Sequence, residues 1–274
     1  MKKTAIVLTI FFLFSIAMPL FAAIDSAKLI YVKGDVIIQT KDTGDSRKGK
    51  VGDSIHAGDI LKTNKKSTVE IAFDEKIGNI VKIDEYSIFS IQSFNPVKVS
   101  IVKGRVFSII DNLDKGSTFE VRTPQAVAGA RGTGWSMAIE GGKTDIEGYE
   151  HTIYAAGLAK DGSILGQIDI PAGFKSSVDE FNPPSALEKL SKGQINKWNK
   201  IKSGIEKHKR TFLNPNEQSG GEEDFEDAEE RFQIMEDGRE ARFEAIHESR
   251  SEAVEQRSES RMDNDNENDA RRGW

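Results

Sequence analysis

The tightest constraint on this chain is a rhythm. Between residues 23 and 184, short runs of alternating apolar and polar residues recur, each closed by a turn rich in Gly, Asp or Asn. Val69, Ile71 and Phe73 alternate with Thr68, Glu70 and Ala72. Phe119, Val121 and Thr123 alternate with Glu120 and Arg122; Trp135, Met137 and Ile139 alternate with Ser136, Ala138 and Glu140. Period-two alternation places one set of side chains on one face of a pleated strand. The turns are Gly34-Asp35, Gly44-Asp45, Gly52-Asp53, Gly58-Asp59, Asp161-Gly162 and Ala172-Gly173, where glycine reaches positive φ without a Cβ clash. Many short strands at this spacing predict an all-β region, and about 160 residues suffice for a core. Tyr31-Val-Lys-Gly-Asp-Val36 is echoed by Ile101-Val-Lys-Gly-Arg-Val106; each reads as strand, glycine kink, strand.

Residues 1–22 have the three parts of a secretory signal. Lys2 and Lys3 form the positive start, Ala5 to Ala17 is almost continuously apolar, and Pro19 precedes the small residues Ala22 and Ala23. Cleavage is expected after Ala22, placing the mature protein outside the cytoplasm, in the periplasm or beyond. No apolar run reaches the roughly 18 residues of a membrane-spanning helix, so no span is expected after cleavage.

Charge divides the remainder. Residues 185–212 carry eight basic and two acidic side chains. Leu187, Leu190, Trp198, Ile201 and Ile205 fall at helical spacing, with Gln194 in the missing turn. A basic amphipathic helix is predicted over 185–212, N-capped by Ser185 with Glu188 completing a capping box. Its apolar stripe is expected to dock on the β region. Residues 213–274 contrast with it: from Glu217 onward there are 20 acids, eight Arg and no Lys. A marginal charged helix over roughly 222–258 followed by disorder is predicted, because too little apolar surface is present to offset ordering entropy.

The β region resembles the FecR domain, a family of bacterial envelope proteins. The resemblance rests on Val32-Lys-Gly34-Asp-Val36, Gly52-Asp53 through Gly58-Asp59-Ile-Leu-Lys-Thr63, Ser67 to Phe73, Tyr86-Ser87-Ile88, Val102-Lys-Gly104-Arg-Val106, Phe119 to Thr123-Pro124, Arg131-Gly132-Thr133-Gly134-Trp135 and Ile170-Pro-Ala-Gly173-Phe174. Thr-Pro followed by Arg-Gly-Thr-Gly-Trp is the specific part, with Trp135 where Phe is usual. It implies an all-β fold, a twisted solenoid- or sandwich-like stack of short strands over roughly 27–180, an envelope location and a role in protein contact. The best-known relatives are transmembrane anti-sigma regulators; their cytoplasmic segment and receptor-docking subdomain are not recognisable here. The family motif is structural and transfers no catalytic residue.

Chemistry-bearing patterns are sparse. With no Cys, a disulfide framework, a thiol nucleophile and Cys-ligated metal are excluded. His56, His151, His208 and His247 show no zinc spacing. Asp53 and Asp59 lie at acidic turns but lack the dense ligand run of a calcium loop. Gly129-x-x-Gly132-x-Gly134 has its glycines in the wrong order for a dinucleotide loop and reads as a tight β turn. Arg131 beside it is expected to pair with a carboxylate. Trp135 is expected in the core and Trp198 at the helix contact. A net charge of -6 argues against nucleic-acid binding. The resulting expectation is a non-catalytic exported protein, without cofactor or metal, whose β domain is a protein-interaction scaffold for an envelope protein. The alternatives are a cell-wall or glycan-binding module and a soluble periplasmic modulator of FecR-type signalling.

Overall fold

The computed structural model describes residues 26–215, except 112, 114–116 and 131. The expected leader, the acidic segment beyond 215 and Arg131 lie outside the described residues. Within them the chain is built from strands and one long helix. In chain order the strands are β1 (Ser26–Lys33), β2 (Val36–Gln39), β3 (Ser46–Lys48), β4 (Ser54–His56), β5 (Ile60–Thr63), β6 (Thr68–Ala72), β7 (Asn79–Ile83), β8 (Ile88–Phe94) and β9 (Val97–Ile110). They continue as β10 (Phe119–Arg122), β11 (Ala126–Ala130), β12 (Thr133–Glu140), β13 (Lys143–Gly148), β14 (Thr152–Leu158), β15 (Ile164–Pro171), β16 (Phe174–Val178) and β17 (Glu188–Lys189). The helix α1 follows at Lys192–Leu213.

Strand pairing defines two layers. Layer one runs β4-β1-β6-β7-β9-β12-β13-β16-β17. Layer two runs β3-β2-β5-β8-β9-β10-β11-β14-β15, and every pair is antiparallel except β9 with β10. β9 belongs to both layers: Val97 to Lys103 pairs with β8, and Gly104 to Ile110 pairs with β12. The chain crosses repeatedly between layers, which is the stacked, solenoid-like arrangement expected from the family resemblance.

The repeated sequence element is a repeated corner. Gly34 (φ 76°) turns the chain from β1 into β2, and Gly104 (φ 91°) bends β9 from one layer into the other. At each, the next residue's N–H donates to a serine hydroxyl: Asp35 to Ser67 at 2.8 Å, Arg105 to Ser87 at 3.1 Å. The serine approaches so closely that a Cβ on Gly34 or Gly104 would lie 2.5 or 2.1 Å from its Oγ. Both serines follow a residue at positive φ, Lys66 and Tyr86. The predicted turn glycines 44, 52, 58, 162 and 173 also have positive φ.

The core lies between the layers. Leu29, Val69, Ile71, Val81, Val106, Trp135, Met137 and Ile146 from layer one meet Ile38, Leu61, Phe89, Ile91, Val99, Phe119, Val121 and Ile153 from layer two. Phe119 is central, set edge-on to Phe73 and to Trp135 at centroid distances of 5.1 and 6.1 Å. Trp135 is fully buried, as its alternation predicts, and its Nε1–H has no hydrogen-bond partner. Ser108, directly across from it on β9, likewise leaves its Oγ without a partner.

The helix begins later than its sequence suggests. Ser185 is not an N-cap: its Oγ accepts from Ser177 N–H at 3.0 Å and its own N–H donates to Ser177 O. Glu188 belongs to β17, paired with Lys175 on β16. Pro183-Pro184 bias the preceding backbone away from helical angles, and the exposed edge of β16 then captures Glu188-Lys189 as a strand. The capping box forms six residues on, from Ser191 and Gln194. Leu187 is exposed, whereas Trp198 and Ile205 are buried on the docked face.

The corner geometry yields a comparison. Gly104→Ala forces a Cβ into Ser87 at a positive φ and is expected to lower unfolding free energy by about 2–4 kcal/mol. Gly162→Ala has the same φ problem but open space around it, and should cost about 1–2 kcal/mol. Urea unfolding of both variants measures the difference.

Candidate functional site

Layer one has two apolar faces. One faces the core; the other carries Ile30, Ala72, Ile80, Phe107 and Ile109 outward, and α1 covers it with Trp198 and Ile205. Trp198 stacks on Tyr149 at a centroid distance of 4.4 Å and 3°, and its indole lies against Gly134, where a Cβ would come within 2.2 Å. Glycine at 134 is thus a requirement of the helix contact.

Two carboxylates are buried beneath the helix. Glu70 on β6 is completely enclosed; its oxygens lie 3.0 Å from His208 Nδ1, and Lys82 Nζ is 3.5 Å away. The His208 ring stacks on Tyr31 at 3.6 Å and 4°. Glu147 on β13 accepts from Ser136 Oγ at 2.9 Å, Arg105 Nη1 at 3.4 Å, Tyr149 Oη and Gln194 Nε2. Gln194 therefore has two tasks: its Oε1 accepts from Ser191 N–H at the helix start, and its amide reaches the buried acid. Lys202 adds an ion pair with Glu150 at the rim. Burying a carboxylate costs several kcal/mol unless it is paired and hydrogen-bonded, and these two acids are matched to partners on α1.

The electrostatics follow from enclosure. Burial pushes the Asp84 carboxyl above its ordinary range, against the attraction of Lys82, Lys197 and Arg105. Burial, reinforced by the Glu147 carboxylate that accepts its hydrogen bond, pushes the Tyr149 phenol far above its usual value. Tyr154 is raised for the same reasons, burial first and then Glu120. With four donors converging on it, Glu147 serves as a fixed hydrogen-bond acceptor, a holding role. A shallow pocket of about 150 Å³ opens beside the seam, lined by Tyr149, Glu150, Gly173, Leu190, Ile195, Trp198 and Asn199.

The signature residues do not converge on one place. Gly34 and Gly104 form the two corners. Gly58 N–H donates to Ile91 O at 2.7 Å, and Asp59 accepts from the backbone N–H groups of Lys41 and His56. Thr123 Oγ1 caps the turn containing Pro124, accepting from Ala126 N–H at 2.9 Å beside Thr144. Gly132 leads the chain from β11 into β12, where Thr133 is buried and Trp135 enters the core. Gly173 bonds Gly148 O and Leu190 N–H. The residues that clamp the helix, Glu70, Glu147, Gln194 and His208, were not singled out as a site by sequence. The pattern Ser191-x-x-Gln194 is a capping-box signature and was the available signal.

Two antiparallel-rich layers sharing one bent strand, with a helix clamped to an outer face, define a stacked β scaffold. Residues 59–153 match the family model described as FecR protein. That segment runs from the start of β5 into β14. No curated protein matches it. Two crystal structures of a candidate anti-sigma factor from Parabacteroides distasonis are similar to it at 14% identity, with TM-scores of 0.41 and 0.42. They cover 51% of this chain, which spans 64% and 63% of theirs, less than two thirds.

Two outcomes are expected from the seam. Trp198→Ala leaves a void against Phe107 and Tyr149 and should cost about 3–5 kcal/mol in urea unfolding, with earlier proteolysis within 192–213. The raised phenols of Tyr149 and Tyr154 favour their neutral forms in the folded state. Their contribution to stability is complete below the ordinary tyrosine value near 10 and is lost as pH rises above it. Tyr149→Phe should therefore flatten the fall in stability above about pH 10, as followed by pH-dependent denaturant melts.

Proposed function

We propose that this protein is an exported, non-catalytic component of FecR-type envelope signalling, and that its β scaffold with the clamped helix is a protein-contact surface. The observation that carries this reading is the use of the family signature. Gly34, Gly58, Asp59, Gly104, Thr123 and Gly173 close corners and turns by internal hydrogen bonds, so what they maintain is a rigid shape. A rigid shape with exposed strand edges and loops suits binding to another protein. The match of residues 59–153 to the FecR family model, together with the family resemblance of the β region, makes a signalling component the natural partner class. The signal-like composition of residues 1–22 supports an encounter with that partner outside the cytoplasm.

A wall-binding reading has less support. Sugar recognition on a β face relies on accessible aromatic rings, whereas Trp135 and Trp198 are both buried and the exposed rings Tyr86 and Phe181 lie between strands, not on a strand face.

Cross-linking in the intact envelope tests the proposal. Full-length protein is compared with a version ending at Pro215, which keeps α1 in place. A dominant co-purifying envelope protein retained by both versions is expected, with a mature N-terminus at Ala23. Recovery of wall fragments without protein, or an intact leader on a cytoplasmic product, would overturn the reading.

A further inference from the structure

The core face of layer one is apolar except at one place. Side chains two apart on a strand share a face. On β9 that face carries Val106, Ser108 and Ile110; on β12 it carries Thr133, Trp135 and Met137. Ser108 lies directly opposite Trp135, and Thr133 is opposite Ile110, the next position along the same face. Ser108, Thr133 and Trp135 are all buried. The Oγ of Ser108, the Oγ1 of Thr133 and the Nε1 of Trp135 have no hydrogen-bond partner among the described residues. Buried polar groups in native proteins are nearly always paired, with protein or with ordered water. Ser108 and Trp135 are neighbours, yet their polar atoms do not bond each other. Phe119 stands edge-on to Trp135 at 6.1 Å. An N–H···π contact with that ring would serve the indole and leave both hydroxyls unmet.

We propose that Ser108, Thr133 and Trp135 form a binding site for one internal water molecule, which bridges β9 and β12 inside the core. The chemistry of the three groups selects this occupant. A water offers both donors and acceptors, so it accepts from the indole N–H and meets the two hydroxyls at once. Three polar partners is the usual number for a buried water. An apolar ligand would leave all three groups unmet. Space comes from Ser108 itself, which is smaller than the Val106 and Ile110 that flank it on the same face. The bridge ties the Thr133-Gly-Trp135 stretch to the bent strand β9 through side chains, in addition to the backbone ladder between the two strands. It does not depend on the signalling reading above.

The site is testable by NMR on the full-length protein, because the chain has only three Trp and therefore three indole N–H signals. Loss of one signal in Trp135→Phe assigns the Trp135 proton. In the wild-type protein that proton should show a cross-peak to water, of opposite sign in laboratory-frame and rotating-frame spectra. The sign difference separates a nearby, long-lived water from proton exchange with solvent. The double variant Ser108→Ala/Thr133→Val, which deletes both hydroxyls, should lose the cross-peak. A wild-type Trp135 proton without a water cross-peak overturns the proposal, and a strong upfield shift of that proton would then assign it to the Phe119 ring. A cross-peak that survives the double substitution at full intensity overturns it as well, since the water would be held by other groups. If the double variant does not fold, the wild-type spectrum decides by itself.

Discussion

Everything in this fold depends on β9 passing through both layers. A strand can pair in two sheets only if its backbone turns sharply midway, and Gly104 supplies that turn at a φ of 91°. Before it, Val99 and Ile101 contribute to the core from layer two; after it, Val106 and Ile110 do so from layer one. The bend is held by Ser87, whose hydroxyl accepts from Arg105 N–H and leaves no room for a side chain at 104. Gly34 and Ser67 repeat the device near the start of the described chain. With the corners set, the apolar alternation of each strand points into one shared interior.

The second organising feature is the clamp on α1. Phe107 and Ile109 alternate with Val106, Ser108 and Ile110, so β9 is apolar on both faces. A sheet with two apolar faces must be covered twice. The second cover is a helix whose own sequence is strongly basic, and it is seated by Trp198, Ile205 and contacts to Glu70 and Glu147. Removing one member of such a buried pair leaves an uncompensated group, a loss of about 3–5 kcal/mol in comparable cases. The helix is therefore integral to layer one, and the basic side chains it presents to solvent are fixed relative to the sheet.

Much of this was legible in the residues. The turn glycines, the alternation around Val69, Phe119 and Trp135, and the echo of residues 31–36 at 101–106 are local features. Each reflects what a single residue type can do to its own backbone, so short stretches reveal them. The helix start was misread for a physical reason: Ser185 and Glu188 satisfy the capping pattern, but a free strand edge at β16 competed for the same residues. The burial of Glu70 was not legible for a related reason. Its alternation with Val69 and Ile71 puts it on the outer face of β6, which ordinarily means water, yet His208, more than a hundred residues later, closes over it.

By itself, then, the amino-acid sequence determined an all-β stack, its corners, most of its inward-facing residues and the existence of one amphipathic helix. Those follow from backbone conformational preference and from period-two or helical spacing, which act over a few residues. Tertiary structure alone decided which strands became sheet edges, where the helix began, and which charged side chains were buried. Those outcomes depend on what packs against a face from distant parts of the chain, and no local pattern encodes that.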